Sequence, residues 1–202
     1  MKIKICGITE IETLNLLIEN EVDYVGFIFY ENSPRNVTHA FINEIENIDF
    51  QKTRPVCVFV NPDKSFVESS LSCFENPIIQ FHGDESEDFC KSFDCEFWKA
   101  LRIKDSKSLE DIKHFINAEA ILCDTFKEDI YGGTGSSFDW KMLNSDLFLN
   151  KKIILSGGLS IENLENALKI DPWCLDFNSG VESSPGLKDH SKIAEILSLI
   201  KK

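Results

Sequence analysis

Two residues in this chain have side chains suited to moving protons, and each stands where an apolar run stops. Cys6 closes "KIKIC" and is followed by Gly7. Asp124 lies in "EAILCDT", with apolar residues before it and Thr125 and Phe126 after it. Burial favours the protonated form of a carboxylic acid, so an aspartate here is suited to donate a proton. A cysteine acts as a base only as the thiolate, which an ordinary thiol near neutral pH supplies to about a few per cent. A working Cys6 therefore needs N–H dipoles or positive charge beside it. Both residues also have a plainer reading, Asp124 as a structural or capping carboxylate and Cys6 as a small hydrophobe in the core.

A second group of residues is suited to holding anions. Gly157 and Gly158 follow "KKIIL", and Ser179 and Gly180 follow "WCLDFN", a run that also carries Asp176. Small residues in such turns let backbone N–H groups approach a phosphate closely. The plainer reading is that they only tighten the turns. Arg35, in "SPRNV", carries a planar guanidinium that can clamp a carboxylate with two bonds, or it is a surface arginine. His82, just after "PIIQF", and Asp176 are read with the substrate-binding residues; the plainer reading of His82 is that it only packs or hydrogen-bonds near the mouth. The stretch "YGGTGSSFDW" (131–140) suits a lid, centred on Gly132–Gly135, or a plain connection into a helix. No metal site is expected, because the four histidines are scattered and none pairs with a cysteine at ligand spacing.

These residues need elements to position them. Eight short β-branched and aromatic runs recur, at 2–6, 24–29, 54–60, 77–82, 96–103, 119–125, 151–157 and 173–180. Helical spacing appears between them. Ile11, Leu14, Leu17 and Ile18 share one face, as do Phe66, Val67, Leu71 and Phe74. Further helices are expected in "SIENLENALKI", with Ser160 as N-cap, in "KDHSKIAEILSLIKK", and over 84–94 and 138–148. Strands alternating with helices imply parallel pairing through right-handed crossovers. At about 25 residues per unit, the pattern predicts a single (β/α)8 barrel spanning 1–202. An open doubly wound sheet is the alternative, weakened by the lack of a GxGxxG after the first strand. In a (β/α)8 barrel the working groups sit at the C-terminal ends of the strands, where nearly every candidate named above falls.

Bulk properties narrow the function classes. The net charge of −13 argues against nucleic acid as a partner but leaves room for a local anion site. No apolar run is long enough to span a membrane, and the chain lacks the long apolar region of a signal peptide, so cytoplasmic location is the expectation. The seven cysteines are odd in number and contain no CxxC pair, which points to reduced thiols.

In this order, "KICGIT" (4–9), "YVGFIFYENSPRNV" (24–37), "VFVN" (58–61), "QFHGDE" (80–85), "LCDT" (122–125), "YGGTG" with "FDW", "ILSGGL" (154–159) and "DFNSGVESSPGLKD" (176–189) resemble the phosphoribosylanthranilate isomerase family, from end to end of the chain. The resemblance implies an Amadori rearrangement of a phosphorylated aminoaldose to an aminoketose in tryptophan biosynthesis. It implies Asp124 as general acid on the furanose ring oxygen and Cys6 as general base at C2. Arg35 would face the anthranilate carboxylate, and Gly157, Gly158, Ser179 and Gly180 would hold the phosphate. No metal or organic cofactor is implied, and the small-molecule substrate is the only partner beyond a second copy of the chain. Departures are small: Glu31 where the family often has proline, Phe81 where leucine is common, and Asn178 for a frequent serine. Related sugar-phosphate isomerase barrels resemble a design with aspartate at the end of the first strand, where this chain has Cys6. A catalytically dead binding barrel would be expected to lack Cys6 or Asp124.

Overall fold

The computed structural model describes residues 1–125, 139–143 and 151–201. The expected lid at Gly132–Gly135 and most of the expected 138–148 helix lie outside the described residues; Trp140–Leu143 forms a 3-10 turn.

Eight parallel strands close into a barrel, β1 (Lys2–Cys6), β2 (Tyr24–Phe29), β3 (Arg54–Phe59), β4 (Ile78–Phe81), β5 (Phe97–Ile103), β6 (Ala120–Thr125), β7 (Lys152–Leu155) and β8 (Cys174–Phe177), with β8 pairing back onto β1. All eight predicted runs are strands, most of them trimmed by one to three residues where the chain turns away. An antiparallel hairpin, β9 (Glu182–Ser184) and β10 (Leu187–Lys188), follows β8 and escaped the pattern because it is so short.

Side chains alternate across each strand, and closure sends one set toward the axis and the other toward the helices. Ile5, Phe27, Phe59, Ile121 and Phe177 belong to the outer core. Val56, Ile78, Trp98, Leu122, Ile154 and Cys174 fill the interior. Both sets are apolar, which is why most strands read as continuous hydrophobic runs rather than alternating ones. Tyr24, Trp98 and Trp173 pack edge-on or tilted, with centroids 4.9–5.9 Å apart, and close the barrel where the strands begin.

The helices are short. In α1 (Ile11–Glu19), Leu14, Leu17 and Ile18 are buried as expected, and Thr13 joins them by bonding His190 Nε2 at 2.9 Å. The sequence gives little sign of α2 (His39–Ile45), seven residues capped by the Thr38 hydroxyl on the Phe41 N–H. In α3 (Lys64–Leu71), Val67 is buried but Phe66 is 46% exposed, resting edge-on against Phe29 and Phe59. The 84–94 segment yields one turn, α4 (Glu87–Cys90). A 3-10 helix, Ser108–His114, joins β5 to β6. Asn163 accepts from the Ser160 N–H at the 3-10 turn leading into α5 (Leu164–Leu168). Asp189 caps α6 (His190–Ile200).

One register position ties the fold to chemistry. Cys6 pairs with Gly26 on β2, and the Gly26 carbonyl accepts the N–H groups of both Gly7 and Ile8. A side-chain carbon at residue 26 would lie 2.6 Å from Cys6 Sγ and 3.0 Å from its Cα, so only glycine leaves the thiol its place. Gly26→Ala should therefore cost about 1–3 kcal/mol through overpacking, read as a lower urea midpoint. An unchanged midpoint would mean that the strand pair yields without strain.

Candidate active site

The inward-facing positions turn polar as the strands approach their C-terminal ends. Lys4 and Cys6 on β1, Gln80 on β4, Asp124 on β6 and Asp176 on β8 are all buried. Above them opens a cavity of about 370 Å³, lined by Cys6, Arg35, His82, Asp124, Gly157 and Ser179 among others. That volume suits a small ligand.

The deepest part of the site is charged. Lys4 has no exposed surface, and its Nζ donates to Asp176 Oδ1 at 2.9 Å. Burial alone would pull the Lys4 ammonium down, but Asp176 and Cys6 beside it hold it above its ordinary value. Burial pushes the Cys6 thiol up and Asp176 adds to the rise, while Lys4 and Lys188 pull it back. Burial also raises the Asp176 carboxyl, against the attraction of Lys4. Cys6 therefore sits at the edge of a buried ion pair, with two ammonium groups able to favour its thiolate.

Asp124 is fixed from two sides. Its Oδ1 accepts the Thr125 N–H at 2.8 Å, and its Oδ2 lies 3.1 Å from His82 Nε2. The other ring nitrogen of His82 lies 3.1 Å from Gln80 Nε2. The protein thus occupies both nitrogens of His82.

The loops after β7 and β8 meet over this floor. Gly157 and Gly158 both have positive φ, +85° and +68°. A side chain on Gly157 would collide with Thr125 and come 3.1 Å from Asp124 Oδ1. Among the described residues, the N–H groups of Gly157 and Gly158 donate to no protein acceptor. A side-chain carbon on Gly180 would lie 1.8 Å from the Leu159 carbonyl oxygen, so the two loops touch there.

Arg35 is buried, not a surface arginine. Its Nε and Nη2 bond the two carboxylate oxygens of Glu182 at 2.7 and 2.6 Å. Lys188 Nζ donates to the same carboxylate at 2.9 Å and to Asn178 Oδ1 at 2.9 Å. Burial opposes ionisation of Glu182, but Arg35 and Lys188 hold its carboxyl below the usual value. Two cations share one carboxylate here, leaving the cluster net positive beside the cavity. Gly7, at φ +75°, gives the arginine stem its path, since a side-chain carbon there would lie 2.8 Å from Arg35 Cδ.

All nine residues singled out from the sequence gather at this end of the barrel. Lys4, Gln80, Glu182 and Lys188 fall within the matching stretches, but their residue types and spacing assigned them no role. Lys4 carried a usable signal, because it stands two residues before Cys6 and so shares its face of β1. The partners of Arg35 lie in the matching stretch 176–189, but the hairpin that presents them is invisible to periodicity. Among the described residues, no group of three His, Cys, Asp or Glu side chains is arranged to hold a metal ion.

The family model for N-(5'phosphoribosyl)anthranilate (PRA) isomerase matches residues 3–198. The N-(5'-phosphoribosyl)anthranilate isomerase of Legionella pneumophila (strain Corby) is 38% identical over 202 residues, covering 99% of this chain and 97% of its own. A structure of mutually generated monomers of the dimeric phosphoribosylanthranilate isomerase from Thermotoga maritima superposes with a TM-score of 0.86 at 31% identity, over 100% of this chain and 98% of that one. A phosphoribosyl anthranilate isomerase in complex with reduced 1-(o-carboxyphenylamino)-1-deoxyribulose 5-phosphate gives 0.85 at 30% identity, with the same coverage. With matching motifs, matching barrel and a family model spanning nearly every residue, this chain belongs to the N-(5'-phosphoribosyl)anthranilate isomerase family.

Proposed function

We propose that this chain isomerises N-(5-phosphoribosyl)anthranilate to 1-(2-carboxyphenylamino)-1-deoxyribulose 5-phosphate, by general acid–base catalysis at the barrel mouth. The observation that carries this reading is that Cys6 and Asp124, three strands apart on the ring, line one cavity together with the glycine turns after β7 and β8. An acid, a base and an anion cradle around a small sheltered space are what the rearrangement requires.

Asp124 gives its proton to the furanose ring oxygen. The bond from that oxygen to C1 breaks, and the anthranilate nitrogen's lone pair forms the C1–N double bond of a protonated Schiff base. The Cys6 thiolate then removes the proton from C2, and the electron pair of that C–H bond moves into a C1–C2 double bond, neutralising the nitrogen. The enolamine tautomerises to the ketone: the C2 hydroxyl loses its proton and C1 gains one, so that with the proton held by Cys6 released and one returned to Asp124 the site regains its starting state. The phosphate is held by the N–H groups of Gly157 and Gly158, with Ser179 and Gly180 closing the adjacent turn. Arg35 receives the anthranilate carboxylate through Nη1, which has no protein partner among the described residues. Asp176 acts through Lys4, holding the ammonium that faces the Cys6 sulfur. We further read 1–202 as one domain, acting in the cytoplasm as a monomer or homodimer. The seven unpaired cysteines suit a reducing compartment.

Asp124→Asn keeps the side-chain volume but removes the proton. It should fold and lose about 10²–10⁴-fold in kcat, and turnover near the wild-type rate would remove Asp124 from the acid role. Cys6→Ser should be nearly inactive at neutral pH, because a serine hydroxyl is far harder to deprotonate than a thiol.

The pH dependence has a definite sign. Cys6 works as the thiolate and burial raises its pKa, so kcat/KM should climb as pH rises, along a limb lying above the ordinary thiol range. A profile flat from neutral to mildly alkaline pH would place the base elsewhere.

Arg35→Ala strips one of two cations from Glu182 and removes the carboxylate clamp. KM should rise more than kcat falls, since that contact is equal in ground and transition states. The opposite split would make Arg35 part of the chemistry.

A further inference from the structure

Gln80 stands at the centre of the barrel. Its amide nitrogen faces His82 Nδ1 at 3.1 Å, yet its Oε1 is buried and has no partner among the described residues. An orphaned carbonyl oxygen in the interior opposes folding, and an apolar side chain of similar shape would fill the place at less cost. What the amide supplies that such a side chain lacks is an N–H aimed at the imidazole.

That N–H decides which form His82 takes. An amide nitrogen only donates, so Nδ1 must accept, and the ring proton of the neutral imidazole then sits on Nε2. Nε2 lies 3.1 Å from Asp124 Oδ2. The alternative tautomer would turn a lone pair toward that oxygen. The backbone on both sides of His82 is pinned as well. Lys99 Nζ donates to the Gly83 carbonyl at 2.6 Å and to that of Phe81 at 3.3 Å, and it is itself paired with Glu85 at 3.0 Å.

We propose that His82, locked by Gln80 as its Nε2–H tautomer, is a positioning residue for Asp124, and that its role is to hold the carboxyl group and stabilise the carboxylate left when the proton departs. This rests on the reading of Asp124 as the general acid. It differs from a substrate-binding role for His82, because the protein uses both ring nitrogens. With Thr125 N–H on Oδ1 and His82 on Oδ2, the carboxyl group is gripped from the protein side and offers its proton to the cavity.

The test combines spectroscopy that needs no turnover with a pair of variants. In the protein labelled with 15N-histidine, the ring signals that vanish in His82→Gln belong to His82, and they should show a neutral ring protonated at Nε2. A ring protonated at Nδ1 would overturn the proposal. His82→Gln keeps an N–H able to reach Oδ2, whereas His82→Leu does not. A hydrogen bond to a charged acceptor corresponds to about 10–100-fold, so His82→Leu should lose about that much in kcat with KM within about threefold. His82→Gln should recover most of the loss. Equal turnover by the two variants, or a loss confined to KM, would overturn the proposal. Wild-type turnover by Asp124→Asn would sink the acid assignment and this proposal with it. An inactive Asp124→Asn beside a fully active His82→Leu would sink the positioning role alone.

Discussion

The interior of the barrel is organised around one ion pair. Lys4 and Asp176, on adjacent strands, bury both charges, and neither would be tolerated there without the other. Strand alternation puts Cys6 on the same face of β1 as Lys4, so the ammonium lies next to the thiol proposed as the base. Asp176 holds that ammonium charged and in place. It also acts against the thiolate, so the polarity of the site is a balance between one carboxylate and two ammonium groups. Removing either member of the pair would strand an uncompensated charge beside Cys6.

The same economy governs the outer ring of the site. The chain carries a net charge of −13, yet one cluster at the mouth is net positive because Arg35 and Lys188 share Glu182. Glu182 belongs to the hairpin after β8, and Arg35 to the loop after β2. Their bidentate pair spans the opening over β1, and Gly7 is the residue that lets the arginine lie there. Asn178, which departs from the family's frequent serine, accepts from Lys188 through both its carbonyl and its side chain, so the change is absorbed by the same cluster. Glycines at 7, 26, 157 and 180 are each spaces that another group occupies.

Much of this was legible in the residue order. The eight strands announce themselves because parallel strands buried on both faces are continuously apolar, and the rule that working groups sit at strand C-termini gathers Cys6, Asp124 and the glycine turns at one end. The helices were less legible. Seven-residue α2 and one-turn α4 are too short for periodicity to build up, and Phe66 lies on a helical face in sequence while its ring sits half in solvent. The supporting residues were least legible of all. Gln80 and Glu182 stand in stretches the motifs already mark, but their roles depend on His82 and on Arg35, 147 positions from Glu182, and neither partnership can be read from residue types alone. Proton-transfer groups have a chemical signature in sequence, whereas the residues that orient them acquire their meaning only from the fold.

The most direct test of the central claim is turnover of freshly prepared N-(5-phosphoribosyl)anthranilate by the purified protein, followed by the loss of the substrate's fluorescence and by identification of the product. Catalytic conversion to the 1-deoxyribulose 5-phosphate derivative is expected, with multiple turnovers per protein molecule. Folded protein that binds the substrate and leaves it unchanged would contradict it.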